Sequence, residues 1–74
     1  MKIEVRLFAT LRLNRFKKDF IEVTDNCTCI EILSYIDIEA DEVAILMING
    51  IHSKLNDKVN ENDVISIFPP TGGG

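Results

Sequence analysis

The feature that most constrains the fold is the run over residues 64–70, where an alternating apolar segment meets two consecutive prolines. Ile65 and Ile67 share one face of this segment, which predicts a strand with one buried side. Pro69 and Pro70 each fix φ and remove a backbone donor, so the strand must stop before them. We therefore expect the chain to leave its sheet here in a stiff, extended form.

Four residues follow the prolines, namely Thr71, Gly72, Gly73 and Gly74. Since glycine makes up about 7% of average usage, three in succession at a terminus occur by chance in roughly 0.03% of chains. We expect a tail without Cβ atoms and with a free carboxylate on Gly74, which suits a channel only as wide as a backbone. Fully extended, these residues reach about 14 Å at ~3.5 Å each. A frayed end without function is the alternative.

A chain of 74 residues forms one small domain that buries about 60% of its unfolded surface, too little for a large enclosed active-site cavity. No apolar run approaches the ~20 residues of a membrane span. An alternating strand pattern begins at Lys2, where a signal peptide would otherwise stand. We therefore expect a cytoplasmic protein without a membrane partner, in which Cys27 and Cys29 are thiols.

The net charge of −4 hides an asymmetry along the chain. Residues 1–18 hold six basic side chains and one acid, a charge of +5, whereas residues 19–74 hold two and eleven, a charge of −9. The acidic majority argues against nucleic acid as the main partner, because phosphate-rich ligands need a basic face. The basic residues near the start form either a solvated loop or a patch that meets an acidic protein.

Two alternating segments near the start predict a β-hairpin. They cover residues 2–9 and 20–24, with a basic connector between them. Phe8 breaks the first alternation, because it places an aromatic ring on the polar face. The expected buried side of the first strand and the anchors of the connector are all apolar: Ile3, Val5, Leu7, Leu11, Leu13 and Phe16.

A helix start is predicted at Thr28, because Glu31 three residues later would complete a capping box. Cys27 and Ile32 stand at the positions of a hydrophobic staple. Apolar side chains then recur at helical spacing, so we expect one short amphipathic helix over residues 28–37.

The unbroken apolar run over residues 43–48 predicts a central strand that is covered on both faces. Asn49 and Gly50 follow it as the preferred two-residue hairpin turn, since both central positions require φ > 0. A short strand over residues 51–54 would pair back.

This order of elements predicts an α+β roll in which the helix covers one face of the sheet. If the first and last strands lie side by side at the centre, Phe8 and Phe68 fall on the same open face. With Val64 nearby, such a pair would form a hydrophobic patch that contacts a protein partner. Incidental exposure of the rings is the alternative.

Four segments resemble one family and together span essentially the whole chain: Val5–Arg12, Thr28–Leu33, Ile48–Gly50 and Asn62–Pro70 running into the glycines. The family is that of the ubiquitin-like β-grasp sulfur carriers, which includes the small subunit of molybdopterin synthase and the thiamine sulfur carrier. The Phe-Pro-Pro run is more similar to the molybdopterin synthase branch. The family usually ends in two glycines, whereas this chain has three.

The resemblance implies a ubiquitin-like β-grasp roll over residues 1–70, with a mixed sheet of four to five strands on one short helix, and a glycine tail over residues 71–74. It also implies a sulfur carrier. A ubiquitin-activating-type adenylating enzyme would use ATP to convert Gly74 to an acyl-adenylate, and a sulfur donor protein would displace AMP to leave a thiocarboxylate. In the molybdopterin branch, the tail then enters the large subunit of the synthase and delivers sulfur to a pterin precursor.

The resemblance also assigns roles to individual residues. Gly74 would carry the chemistry, while the partners would contribute the nucleotide and acid–base chemistry, and this chain would bind no cofactor. The residues implied for passage and aim of the tail are Thr71, Gly72, Gly73, Pro69 and Pro70, and those implied for partner binding are Phe8, Phe68, Val64, Arg6 and Arg12.

Three alternatives to the molybdopterin role remain open: a thiamine-pathway sulfur carrier, a ubiquitin-like modifier whose glycine is joined to lysines, and an interaction module with an inert tail. No metal site is expected, because Cys27 and Cys29 lack a second pair or histidines at suitable spacing. We expect both cysteines to pack, although a reactive thiol at a helix start is conceivable. His52 is expected at the surface.

Overall fold

A computed structural model describes residues 1–70, and the predicted tail over residues 71–74 lies outside the described residues. The elements follow in the order β1 (Lys2–Leu7), a 3₁₀ turn (Ala9–Arg12), β2 (Lys18–Glu22), α1 (Cys29–Tyr35), a 3₁₀ turn (Ala40–Glu42), β3 (Ile45–Ile48), β4 (Ile51–His52) and β5 (Val64–Phe68). The predicted α+β order of strands around one helix is confirmed. Among residues 1–70, no helix has the length and apolar character needed to cross a bilayer.

The five strands form one mixed sheet in the order β2-β1-β5-β3-β4. Strands β1 and β2 form the predicted antiparallel hairpin. Strand β1 also pairs in parallel with β5, with Val5 opposite Ile65, and β5 pairs in the antiparallel sense with β3. The first and last strands therefore lie side by side in the middle of the sheet, and the predicted β-grasp arrangement is confirmed.

The core lies between one face of this sheet and helix α1. Alternation with period two turns every second residue of β1 and β5 towards the helix, so the remaining residues of both strands face outwards. Complete burial of one Ile or Leu side chain stabilises the fold by roughly 1.5–3 kcal/mol. The fully or almost fully buried side chains of these three elements are Ile3, Val5, Leu7, Cys29, Ile32, Leu33, Ile65 and Ile67.

The start of α1 differs from its prediction in one respect. Thr28 is the N-cap residue, but its hydroxyl lies 3.2 Å from the carboxylate of Glu31 and no side chain caps a backbone donor. The prediction of a capping box is therefore wrong. The chain between β4 and β5 replaces it, because the carbonyls of Asp57 and Leu55 accept hydrogen bonds from the first two helical N–H groups at 2.9 and 2.8 Å.

Strand β3 is an interior strand that pairs with both β5 and β4, as predicted, but it is not covered on both faces. Leu46 is buried, but Ile45 beside it is 40% exposed. The physical reason is that the single helix covers only one face, so outward-pointing residues of an apolar run stay open. The hairpin turn that follows is confirmed, with φ of 53° at Asn49 and 80° at Gly50.

Two smaller predictions are corrected near the start of the chain. Leu13 is 66% exposed and anchors nothing, whereas Leu11 two residues earlier is buried in the core. The 3₁₀ turn that ends at Arg12 explains the difference, because it brings Leu11 inwards before the chain turns away. Strand β2 begins two residues before the predicted start at Phe20.

A polar network fastens the β3–β4 turn to the start of β5. The amide nitrogen of Asn49 donates to the Asp63 carboxylate at 2.9 Å, and its oxygen accepts from the Val64 N–H at 2.9 Å. The other carboxylate oxygen of Asp63 accepts from the Asn60 N–H at 2.7 Å. Asp63 is only 9% exposed, and removal of its side chain would break both of the hydrogen bonds that its carboxylate accepts from the neighbouring turns.

The cysteines belong to the core and are free thiols. Burial, followed by the negative charge of Asp57, raises the pKa of the Cys29 thiol to about 11. Burial and the nearby Glu31 also raise the pKa of the Cys27 thiol. Both side chains are buried among the apolar residues of the core, so the packing interpretation is confirmed. His52 is exposed, as expected.

The first prediction concerns the polar network. We expect Asp63→Ala to lower the free energy of unfolding by about 1–3 kcal/mol, because it removes two hydrogen bonds to a charged carboxylate. Urea unfolding followed by circular dichroism measures the loss. Asp25→Ala removes an exposed carboxylate as the matched control and should change stability by less than about 0.5 kcal/mol. Equal losses in both variants would contradict the role of the network.

The second prediction concerns Cys29. An unfolded thiol has a pKa of about 8.5, so the raised native pKa stabilises the fold below that pH, and the contribution is lost as pH rises towards about 11. We expect iodoacetamide at pH 8 to alkylate the urea-unfolded chain but spare the native one. In the Cys29→Ala variant, the free energy of unfolding should decline less as the pH becomes alkaline. Rapid alkylation of Cys29 in the native protein would refute the raised pKa of this thiol.

Candidate functional site

Two aromatic rings lie on the open face of the sheet, where β1 and β5 end. The rings of Phe8 and Phe68 are stacked, with centroids 4.2 Å apart and planes 11° from parallel. The N–H of Phe8 donates to the carbonyl of Ile67 at 3.2 Å, which continues the pairing of β1 with β5 up to the ring. The prediction that both rings share the open face is therefore confirmed, and we call them the ring pair.

Arg12 reaches the ring pair because the 3₁₀ turn after β1 brings the chain back. Its Nε donates to the carbonyl of Leu7 at 2.8 Å, and its guanidinium carbon lies 5.3 Å from the Phe8 ring centroid. This distance allows a cation–π interaction. Ala9 starts the turn with φ of 52°, a left-handed conformation that costs about 1–2 kcal/mol in a residue with a Cβ atom. Strain of this kind concentrates at functional sites.

Arg6 and Val64 lie on the same outward face of the sheet as the rings. Arg6 stands opposite Ser66 in the parallel register, and its Nε is paired with the carboxylate of Glu4. Val64 is four residues from Phe68, a span of about 13 Å at ~3.3 Å per residue. Val64 therefore does not extend the ring pair itself, and its part in partner binding remains a prediction.

Two residues of β3 extend the apolar surface and were missed at the sequence level. Ile45 stands directly opposite Phe68, and Met47 stands opposite Ser66. Ile45 is 40% exposed, whereas Met47 is partly buried. The unbroken apolar run concealed them, because it gives no sign of which side chains face out. The register of β3 against β5 is the signal that identifies them.

Basic side chains surround a depression on the other side of Phe8. It has a volume of about 440 Å³ and is open to solvent. The carbonyl of Lys17 accepts from the Leu7 N–H at 3.0 Å, so the hairpin holds the start of β2 against the end of β1. The residues that line the depression, which we call the basic groove, are Arg6, Phe8, Arg12, Lys17 and Lys18.

The chain leaves the sheet beside the ring pair, as predicted. The carbonyl of Phe68 accepts from the Ala44 N–H at 2.8 Å, and the strand ends there. Pro69 is partly buried and Pro70 is exposed. The remaining residues assigned to the tail, Thr71, Gly72, Gly73 and Gly74, lie outside the described residues.

Within residues 1–70, no group of three or more His, Cys, Asp or Glu side chains is arranged to hold a metal ion. The arrangement instead offers three features side by side: stacked rings, a groove of basic side chains and a chain that leaves the sheet. Such a surface can bind a partner next to the point where the chain leaves the sheet.

Comparisons with known proteins agree with this fold. The sequence model that describes the ThiS family matches residues 5–74 of this chain. The crystal structure of SAMP1 from Haloferax volcanii covers 100% of both chains, with a TM-score of 0.80 and 19% identity, which supports the fold alone. The Haloferax volcanii HVO 2177 protein, solved in solution, aligns over 100% of this chain and 87% of its own, with a TM-score of 0.79 and 27% identity.

A third solved structure is a complex of subunits 1 and 2 of the molybdopterin-converting factor from Helicobacter pylori. The alignment covers 100% of this chain and 100% of the matched chain of the complex, with a TM-score of 0.66 and 26% identity. A search of curated protein sequences gave no match. Since the family model spans nearly all of the sequence, this chain belongs to the ThiS family, and it has the ubiquitin-like β-grasp fold of the solved structures that it resembles.

Proposed function

We propose that this chain is a sulfur carrier that acts as the small subunit of a molybdopterin synthase. The observation that carries the proposal is the stacked pair of Phe8 and Phe68 at the point where the chain leaves the sheet. A partner that docks on these rings meets the tail at its base. Docking and delivery are then coupled by the geometry of one strand end.

Two comparisons support this particular role. Subunit 1 of the Helicobacter pylori molybdopterin-converting factor occurs in a complex with subunit 2, and that structure matches this chain over its whole length at 26% identity. The run from Phe68 to Pro70 resembles the molybdopterin branch of the family. The proposed receiving partner is accordingly the large subunit of the synthase.

The proposed chemistry takes place on the carboxylate of Gly74. A carboxylate is a poor electrophile, so a ubiquitin-activating-type adenylating enzyme first joins it to the α-phosphate of ATP and releases pyrophosphate. Hydrosulfide (HS⁻) supplied by a donor protein then adds to the carbonyl carbon, AMP leaves with the bonding electron pair, and the S–H proton is lost to water. The product is a thiocarboxylate, which the large subunit uses to transfer sulfur to a pterin precursor. These steps belong to the cytoplasm, where ATP is available.

The residues of this chain position the tail and catalyse no step themselves. Pro69 and Pro70 direct it away from the sheet, because neither can continue the hydrogen-bonded ladder. Gly72 and Gly73 allow passage through a narrow channel because they lack side chains. The proposed partner-binding residues are Phe8, Phe68, Val64, Arg6 and Arg12, together with Ile45.

The third prediction tests the chemistry. Incubation of the purified chain with ATP, a sulfide source and cell extract should exchange one terminal oxygen for sulfur, which intact mass spectrometry detects. Deletion of Gly74 alone tests the position, since sulfur loading of the shortened tail would show that Gly73 suffices. Isopeptide-linked conjugates would instead identify a protein modifier. A mass that stays unchanged under all conditions would refute both functions and favour an inert tail.

The fourth prediction tests the docking surface. We expect Phe68→Ala to weaken binding to the adenylating enzyme by about tenfold, because loss of a central aromatic anchor commonly costs more than ~1 kcal/mol. The fold should persist, since Phe68 lies outside the buried core. Ile51→Ala is the matched control, because Ile51 is 70% exposed on the edge strand β4. Equal affinities of the two variants in calorimetry would refute the docking role.

A further inference from the structure

The basic groove gathers four of the six cations that the first 18 residues contain. Arg6 has an ion-pair partner in Glu4. Arg12, Lys17 and Lys18 have no ion-pair partner within residues 1–70. Three uncompensated positive charges around one depression repel each other, although the chain as a whole is acidic. A negatively charged occupant would relieve this repulsion.

The geometry of the groove also suits the binding of a carboxylate. The hydrogen bond from Arg12 Nε to the carbonyl of Leu7 fixes the guanidinium beside Phe8. Within residues 1–70, the two terminal nitrogens of Arg12 make no hydrogen bond, so a planar pair of donors remains for a carboxylate. Lys17 and Lys18 supply mobile point charges at the start of β2.

Phe8 belongs both to the groove and to the ring pair. An occupant that covers this continuous surface needs acidic groups next to apolar groups, which a segment of protein provides and an isolated small anion does not. Nucleic acid is disfavoured, because residues 19–74 carry a charge of −9 and repel a phosphate backbone.

We propose that the basic groove binds an acidic segment of the protein that activates the tail, while the ring pair contacts apolar residues next to that segment. This inference rests on the proposed function for the identity of the partner. The groove lies beside the point where the chain leaves the sheet, so the partner is held close to the base of the tail. Opposite charges also steer the encounter and raise the rate of association.

The fifth prediction uses two double variants that change the net charge equally. Lys17→Glu with Lys18→Glu reverses two charges in the groove, whereas Lys54→Glu with Lys58→Glu reverses two exposed charges outside it. Each protein is labelled with ¹⁵N and titrated with a hexaglutamate peptide at low salt. We expect the peptide to shift the signals of groove residues in the wild type and the control, and to bind the groove variant at least tenfold more weakly.

Salt provides a second readout of the same interaction. Binding of the peptide should weaken between 10 mM and 150 mM salt, because the Debye length falls from about 30 Å to about 8 Å. Equal affinity of the two double variants would overturn the proposal. Inorganic phosphate that shifts the same signals at the same concentration would also overturn it, since the groove would then be a site for small anions.

The rate of sulfur loading in extract separates this inference from the proposed function. If both hold, the groove variant loads at least tenfold more slowly than the control variant at low salt, and the difference shrinks as salt rises. Equal loading rates of the two variants would refute a role of the groove in activation. If the wild type binds hexaglutamate in the groove but never gains sulfur, the proposed function fails while the preference for acidic segments stands.

Discussion

The parallel pairing of β1 with β5 is the interaction on which the rest of the structure depends. It joins the two ends of the described chain and places Val5 opposite Ile65, so both strands bury the same face. A slip of one residue would turn the apolar side chains of a strand towards solvent. The hydrophobic core therefore specifies the register, and the register in turn stacks Phe8 on Phe68.

The same pairing explains why the candidate site lies at one end of the two central strands. Strands in a parallel pair end at the same edge, so the residue after β1 and the last residue of β5 meet there. Pro69 stops the ladder at this edge, and the 3₁₀ turn after β1 returns Arg12 to it. The parallel pairing of β1 with β5 thus places the binding surface beside the point where the chain leaves the sheet. Core residues far from this point stabilise the pairing.

Much of this fold was predictable because short sequence patterns indicate its strands and turns. Alternation identified β1 and β5, and Asn49 with Gly50 identified the hairpin turn. The capping box failed because backbone carbonyls from the chain after β4 reach the helix start, and a local motif contains no information about them. Ile45 and Met47 were missed for a related reason, since pairing between distant strands decides which side chains of an apolar run face outwards.

The proposed carrier role requires the chain to bind each partner and then leave it, which limits how strongly its docking surface can bind. A small ring pair supplies modest affinity, and aromatic stacking adds only about 0.5–1.5 kcal/mol beyond the burial of area. Charges at the rim of an interface act mainly on the rate of association, so the basic groove can accelerate encounters without prolonging them. The charge asymmetry of the chain suits such a role of the groove. The groove attracts an acidic segment of the partner, while the acidic remainder of the chain repels that segment in other orientations. Fast docking in one orientation with brief residence is the kinetic behaviour that repeated loading and unloading of one tail requires.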